Sequence, residues 1–308
     1  MTVYHGGYHT YGQAVGILML ETQFPRIPGD IGHPGTFPFP VMYKVIPGAS
    51  IERAVDQGDQ ALLGPFIQGA LELQEAGVRL VTTSCGFLSL FQREMAEALR
   101  VPMITSSLIQ VPMVSRMVGG RTVGIFTTRQ AALTERHFNA AGWSSKQFKV
   151  VVRGMDGTAE YHHRRHSHPL GSAVLDFDRI QQEAVERARE LVDAAPDVSA
   201  IVIETTNLPP YADIVQQAVD LPVFSIVTLS GARSWDTCEG YGAWGNQTTK
   251  APRTLRFTKI FHQESLVPLC LLRVFVIRYL APLQLLWRNR CTSTTAAETP
   301  TARVSASS

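Results

Sequence analysis

The sequence predicts an α/β protein built as two similar lobes. Each holds a parallel sheet, the two are related by a pseudo-twofold duplication, and a cleft lies between them. Three observations predict this. Short apolar runs alternate with helical stretches from about residue 14 to residue 227, the pattern of successive βαβ units. The pattern runs through once and restarts after Gly119-Gly120. The two passes also share a spacing: Cys85 stands 17 residues before Pro102, and Thr205 stands 17 residues before Pro222.

In the first pass, AVGILMLET (residues 14–22) is a short apolar run and reads as a buried strand. A Pro/Gly-rich loop, QFPRIPGDIGHPGTFPFP, follows. The stretch 58–77 reads as a helix, with Asp59 early and Gly77 closing it. VRLVTTS is the next strand, FLSLFQREMAEALR a helix and VPMITSS a strand, and a short helix then reaches Gly119.

The second pass opens with the strand RTVGIFTT and the helix QAALTERHFNAAG. FKVVVRGM is a strand followed by a polar loop. The stretch 177–195 is strongly amphipathic, with Ile180, Ala184, Val185, Ala188, Leu191 and Val192 along one face. SAIVIETT, LPPYADIVQQAVD and LPVFSIV then read as strand, helix and strand.

Set side by side, VRLVTTSCGF matches AIVIETTNLP, and AVGILMLET matches TVGIFTTRQ. Each lobe is thus of the Rossmann-like or flavodoxin-like kind. Lobe one covers 12–119 with a return at about 222–240, and lobe two covers 120–221. Thr205 becomes the internal counterpart of Cys85, each at the C-terminal end of a parallel strand. Ligands of open α/β sheets gather at that end.

The composition narrows the function classes. Residues 1–240 hold 19 Lys+Arg against 24 Asp+Glu, while residues 241–308 hold 9 against 2. The body is mildly acidic with no basic stripe, so nucleic acid is not an expected partner. Four cysteines (Cys85, Cys238, Cys270 and Cys291) form no C-x-x-C pair, which argues against a zinc ribbon, a thioredoxin motif or a disulfide framework. Neither a Gly-x-Gly-x-x-Gly fingerprint nor a Walker A loop follows either first strand, which disfavours nucleotide cofactors. The opening MTVYHGGYHT lacks a signal-peptide pattern, so the expectation is a reduced, cytoplasmic protein.

Cys85 is therefore the residue of interest. A thiol at a strand end facing a helix N-terminus is well placed to become a thiolate. Ser84 adds a hydroxyl, and Gly86 permits close approach of backbone.

The segments TTSCGFLSLFQ, ETTNLPPYADIV and ETQFPRIPGDIGHPGTFPFPVMYKV, taken together and in this order, resemble the aspartate/glutamate/hydantoin racemase superfamily over roughly residues 12–235. The resemblance implies an enzyme with two α/β lobes, neither cofactor nor metal, and proton transfer at the carbon α to a carboxylate or carbonyl. The substrates it implies are amino acids, hydantoins or malonate-like acids. In that family one cysteine from each lobe faces the substrate, and N–H groups, hydroxyls and an Asn hold the carboxylate and stabilise the enolate-like intermediate.

This chain departs from the family at one point. Where the family reads Glu-Cys-Thr-Asn, it reads Glu204-Thr205-Thr206-Asn207. Cys85 matches the first-lobe cysteine, and Thr205 stands where the second would be. A threonine hydroxyl is far too weak an acid to replace a thiol with a pKa near 8.5. Three outcomes stay open: one-sided chemistry by Cys85, as in the superfamily's one-cysteine decarboxylases; racemisation with water or another side chain on the second face; or a degenerate copy that only binds a small acid.

The remaining candidates follow from their places. Glu21, Thr22 and Arg26 come after the first strand, with Arg26 a candidate carboxylate clamp through its planar fork. Thr127 and Thr128 hold the matching place in lobe two. Thr206 and Asn207, with Ser84, Gly86 and Thr205, would shape the anion pocket. The stretch YHHRRHSHP clusters His162, His163, His166 and His168, but it lacks a recognised metal spacing and carries Arg164 and Arg165, so it is expected to be an exposed loop. The expected partner is a small carboxylate-bearing substrate, with self-association left open. Residues 241–308 are apolar and basic and end in CTSTTAAETPTARVSASS. A central Arg273 counts against a membrane span there, and this tail is expected to lie outside the catalytic fold.

Overall fold

Each lobe begins with a strand buried at every residue. β1 (Val15–Met19) and β5 (Thr122–Thr127) have no exposed position, as central parallel strands covered on both faces require. The structure is a computed structural model describing residues 6–8, 11–166, 168 and 170–231. β2 (Val41–Val45), β3 (Leu80–Thr83) and β4 (Met103–Ile104) complete the first sheet in the order β2-β1-β3-β4. β6 (Val150–Gly154), β7 (Val198–Ile203) and β8 (Val223–Phe224) complete the second in the order β6-β5-β7-β8. Every pairing among the described residues is parallel. The fold is the two-lobed α/β architecture read from the sequence.

The duplication holds at the level of single hydrogen bonds. Ser84 N donates to Leu18 O at 2.8 Å, and Glu204 N donates to Phe126 O at 2.8 Å. Val81 N donates to Pro102 O at 3.0 Å, and Ile201 N donates to Pro222 O at 2.9 Å. Even the central-strand glycines correspond. A Cβ on Gly16 would stand 3.0 Å from Leu73, and one on Gly124 would stand 2.6 Å from Leu191. In both lobes the covering helix lies so close that a side chain on the strand has no room.

Helices follow each strand. In lobe one, α1 (Leu63–Glu75) is preceded by a 3-10 turn that Asp59 caps by accepting from Ala61 N, and Gly77 closes it at φ 96°. A 3-10 segment, Gly86–Phe91, leads into α2 (Gln92–Ala98), and α3 (Val111–Met117) completes the pass. In lobe two, α4 (Glu135–Ala140) is followed by α5 (Tyr161–His166), α6 (Phe177–Ala194) and α7 (Ala212–Val219), the last preceded by a 3-10 turn, Pro209–Tyr211. α6 buries Ile180, Ala184, Ala188 and Leu191 of its predicted stripe. At about 1.5–3 kcal/mol for each fully buried large aliphatic side chain, this face anchors lobe two.

The structure adds three elements. Residues 41–57, to which sequence patterning assigned none, form β2 and a π-helical turn, Glu52–Gln57. β2 is an edge strand, half-buried and interrupted by Lys44, so it lacks the apolar run that marks its neighbours. The polar stretch after β6 is helical over α5 rather than a loop, because its first turn is held by Glu183, which accepts from Glu160 N at 2.8 Å and Tyr161 N at 2.9 Å. The chain's return to lobe one also begins later than 222. Val223–Phe224 pairs with β7, and α8 (Ile226–Ser230) then sends Ile226 into the lobe-one core beside Val15 and Leu80. The tail 241–308 and the other three cysteines lie outside the described residues, and no helix among the described residues is long and apolar enough to cross a membrane.

Candidate active site

The site grows from the ends of β3 and β7. β3 stops at Thr83, and Cys85 follows with extended backbone (φ −151°, ψ 117°) as the cap of the 3-10 segment. Thr83 Oγ1 sets this turn. It accepts from Cys85 N at 3.3 Å and lies 3.0 Å from Cys85 O and 2.7 Å from Thr105 O, either of which can take its proton. Cys85 is buried.

The two strand ends meet through a reciprocal pair of contacts. Thr206 Oγ1 donates to Ser84 O at 2.6 Å. On the other side, Gly86 lies so close to Glu204 that a Cβ there would overlap both its carboxylate and its carbonyl oxygen. Ser84 with Thr206 and Gly86 with Glu204 are images of one another under the exchange of lobes. Cys85 lies between Ser84 and Gly86, and Thr205 between Glu204 and Thr206, so each is flanked by these contacts on its own lobe. The close approach that Gly86 permits is used by the opposite lobe.

Lobe two braces its half from behind. Glu204 is fully buried and accepts from Thr127 Oγ1 at 2.7 Å. The Thr205 hydroxyl lies 3.2 Å from the hydroxyl of Tyr161, the first residue of α5. Thr128 is buried just past β5. Ser107 Oγ adds a further tie between lobes by donating to Ile203 O at 2.5 Å.

The loop after β1 is organised around Asp30, which is 2% exposed. Its Oδ1 accepts from Arg26 Nη1 at 3.0 Å and from Gly32 N at 2.7 Å, and its Oδ2 accepts from Asn207 Nδ2 at 2.7 Å. Arg26 also donates through Nη2 to Thr22 Oγ1 at 2.8 Å, and its guanidinium sits 4.3 Å from the Phe24 ring centroid. The fork proposed as a substrate clamp is thus engaged within its own loop. Ser84 Oγ accepts from Leu20 N at 2.8 Å, and exposed Glu21 accepts from Gly48 N at 2.8 Å, so both fasten the end of β1. Of the sequence-selected residues, the structure brings Cys85, Ser84, Gly86, Thr205, Thr206 and Asn207 together. Glu21, Thr22 and Arg26 shape the neighbouring loop.

Asp30, Tyr161 and Glu204 enter the site without having been singled out as site residues. Glu204 was legible through the repeat, since it lies at the same remove from Thr205 as Ser84 from Cys85. Asp30 is a lone carboxylate in a Pro/Gly-rich loop, and Tyr161 directly precedes a run of histidines, so neither stands in a pattern that marks a site.

One histidine packs near the thiol turn. His137 of α4 sets its ring edge-on to Phe87, 5.2 Å between centroids. Burial holds its pKa down to about 4, so it stays neutral at ordinary pH. Among the described residues no group of three or more His, Cys, Asp or Glu could hold a metal ion.

No protein-family model matches the chain. Among curated proteins it is similar to a dimethylsulfoniopropionate lyase of Durusdinium sp. clade D, 27% identical over 226 residues, covering 70% of this chain and 71% of the relative. Dimethylsulfoniopropionate lyases 7 and 6 of Emiliania huxleyi (strain CCMP1516) are each 29% identical over 225 and 230 residues. Those matches cover 70% of this chain and 64% and 57% of the relatives, under two thirds of their lengths. Among solved structures, a point mutant of arylmalonate decarboxylase in a sulfate-associated form superposes with TM-score 0.49 at 18% identity, over 72% of this chain and 91% of that one. An aspartate racemase homologue from Pyrococcus horikoshii OT3 gives TM-score 0.43 at 14% identity, over 72% and 97%.

Proposed function

We propose that this protein is a racemase-superfamily member turned to elimination. Cys85 takes the proton from the carbon α to a carboxylate, and a leaving group departs from the next carbon. The observation that carries this reading is that the equivalent strand-end turns of the two lobes differ, one carrying the Cys85 thiol and the other the Thr205 hydroxyl. Racemisation needs two groups, one to take a proton and one to return it to the opposite face. Elimination takes one proton and returns none to carbon, so Cys85 suffices.

The similarity to dimethylsulfoniopropionate lyases supports a specific substrate class, a propionate with a sulfonium on its β-carbon. The Cys85 thiolate would remove the α-proton, the C–H electron pair would become the new C=C bond, and the C–S pair would leave with the sulfide. The products are acrylate, dimethyl sulfide and a protonated thiol, which releases its proton to solvent. Departure of a cationic leaving group also suits a site without a second acid. Proton loss beside a carboxylate would otherwise build a dianion, and the departing sulfide takes up that charge as it forms. Thr205, with Tyr161 behind it, is left to orient the substrate.

The test uses the full-length protein and its Cys85→Ser variant with dimethylsulfoniopropionate, following dimethyl sulfide in the headspace and acrylate by proton NMR. Amino acids, hydantoins and substituted malonates run in parallel in D₂O. Acrylate formation that disappears in Cys85→Ser is the expected result. Carbon dioxide from the malonates, or deuterium entering an amino acid or hydantoin, would replace elimination by decarboxylation or proton exchange. Ligand-induced stabilisation that survives Cys85→Ser with no turnover of any substrate would make the protein a binder.

A further inference from the structure

A recess of about 240 Å³ opens between the two lobes. Lobe one lines it with Val55 and Asp56 of the π-helical turn after β2, and with Leu90 of the 3-10 segment that Cys85 caps. Lobe two lines it with Thr134, Arg136 and His137 from the start of α4. Asp56 pairs with Arg129, two residues past the end of β5, so an ion pair joins the lobes beside the recess. The residues of the proposed reaction are shut away from it. Cys85 is 6% exposed and Thr205 4%, and neither lines the recess. A substrate reaches the thiol only when the lobes part.

The ties between the lobes differ in kind. Ser107 Oγ donates to Ile203 O at 2.5 Å and Trp143 Nε1 to Leu108 O at 2.9 Å, both buried. Beside the loop after β1, Gln23 N donates to Leu170 O at 2.9 Å and Gln23 Nε2 to Gly171 O at 2.7 Å. These are neutral bonds, and breaking the buried ones strands a polar group away from water. The Asp56 and Arg129 side chains are instead 24% and 34% exposed, so water and salt compete for both charges. This pair is the tie that yields most readily. Arg136 in the recess wall is exposed, and its side chain makes no ion pair or hydrogen bond among the described residues. A carboxylate entering the recess meets an unengaged cation.

We propose that this recess is the vestibule through which a small carboxylate reaches Cys85, and that the Asp56–Arg129 pair is its gate. The recess touches the Cys85 turn through Leu90, so lobes that part at the ion pair open it toward the thiol. Arg136 draws in molecules that carry a negative charge. The assignment rests on the elimination reading for Cys85 as the reacting group, but its evidence, the recess and the ion pair, is separate.

The experiment reads access to the thiol, so that turnover plays no part. The full-length protein is treated with iodoacetamide, and alkylation of Cys85 is followed by mass spectrometry of the peptide that carries it, apart from Cys238, Cys270 and Cys291. All variants are first shown to be folded by circular dichroism. Asp56→Asn and Arg129→Gln should each speed alkylation roughly two- to fivefold, the scale of an ion pair in contact with water. The charge-swapped protein, Asp56→Arg with Arg129→Asp, should return close to the parent rate. Added salt should speed the parent and leave Asp56→Asn unchanged. Lys44→Gln, which breaks the Lys44–Glu72 pair within lobe one, should keep the parent rate. Arg136→Gln should slow alkylation by the anion iodoacetate severalfold and leave iodoacetamide unaffected. Equal rates in the parent and both single variants, a parent rate that ignores salt, or a charge-swapped protein as fast as the single variants overturns the assignment. So does Lys44→Gln as fast as Asp56→Asn, or an iodoacetate rate that Arg136→Gln leaves intact. The two readings fail separately. Gated alkylation without acrylate formation by the unmodified protein sinks the lyase and keeps the gate, and acrylate formation with ungated alkylation does the reverse.

Discussion

Thr206 and Ser84 are joined across the two lobes by a 2.6 Å hydrogen bond from the threonine hydroxyl to the serine carbonyl, and the same bond has a mirror in the contact of Gly86 with Glu204. These two contacts flank Cys85 in one lobe and Thr205 in the other. Gly86→Ala would drive a methyl into Glu204, in a position where backbone of one lobe meets backbone of the other. The variant is expected to lose stability at the upper end of the roughly 1–3 kcal/mol typical of overpacking. Thr206→Val, which keeps the shape and removes the donor, should cost about 1–2 kcal/mol. Urea unfolding with unchanged slope checks both.

Cys85 and Thr205 should differ sharply in what their removal does. Cys85→Ser is expected to lower turnover by about 10²–10⁴, the usual weight of a positioned acid/base group, with the fold intact. Thr205→Val removes only the hydroxyl contact with Tyr161 and should cost no more than about tenfold, mainly in KM. A Thr205→Val loss as large as that of Cys85→Ser would mean that the second face also handles a proton.

Asp30 ties its own loop to Asn207 of the other lobe. Asp30→Ala strips Arg26 of its buried partner and is expected to destabilise the protein by about 3 kcal/mol. Asn207→Ala removes a single hydrogen bond from the same hub and should cost less than half of that. Thermal melts of the two variants against the parent protein test the ordering.

His137 supplies a pH dependence with a definite sign. Its pKa is about 4 in the fold and 6.5 in the open chain, so between those values the unfolded state binds the proton and the folded state does not. Stability is then fully present above pH 6.5 and falls as pH drops toward 4, by on the order of 3 kcal/mol. His137 Nδ1 accepts from Thr134 N at 3.1 Å as half of a capping box. His137→Gln keeps an acceptor at that position without a titrating ring. Its urea midpoint should be flatter across this window.

Much of this architecture was legible in residue order because it rests on local patterning. The apolar runs at Val15–Met19 and Thr122–Thr127 announce buried strands by themselves, and Asp59 and Gly77 bracket α1 as capping chemistry dictates. β2 escaped notice because an edge strand, wet on one side and carrying Lys44, has no such run. The helix at Tyr161 escaped because its first turn depends on Glu183, more than twenty residues further along the chain.

The sequence by itself determined that there are two like lobes, that each presents a strand-end turn to the other, and that only one of those turns carries a thiol. Periodicity, glycine placement and equal spacing are properties of neighbouring residues, and the chain states them directly. Only the tertiary structure decided what each side chain spends its hydrogen bonds on. Arg26 turns to Asp30 and Thr22, Ser84 to Leu20, Thr127 to Glu204, and Tyr161 arrives behind Thr205 from 44 positions away. A buried polar group must find a partner wherever the packed chain brings one. That choice belongs to the meeting of distant segments, which no local pattern encodes.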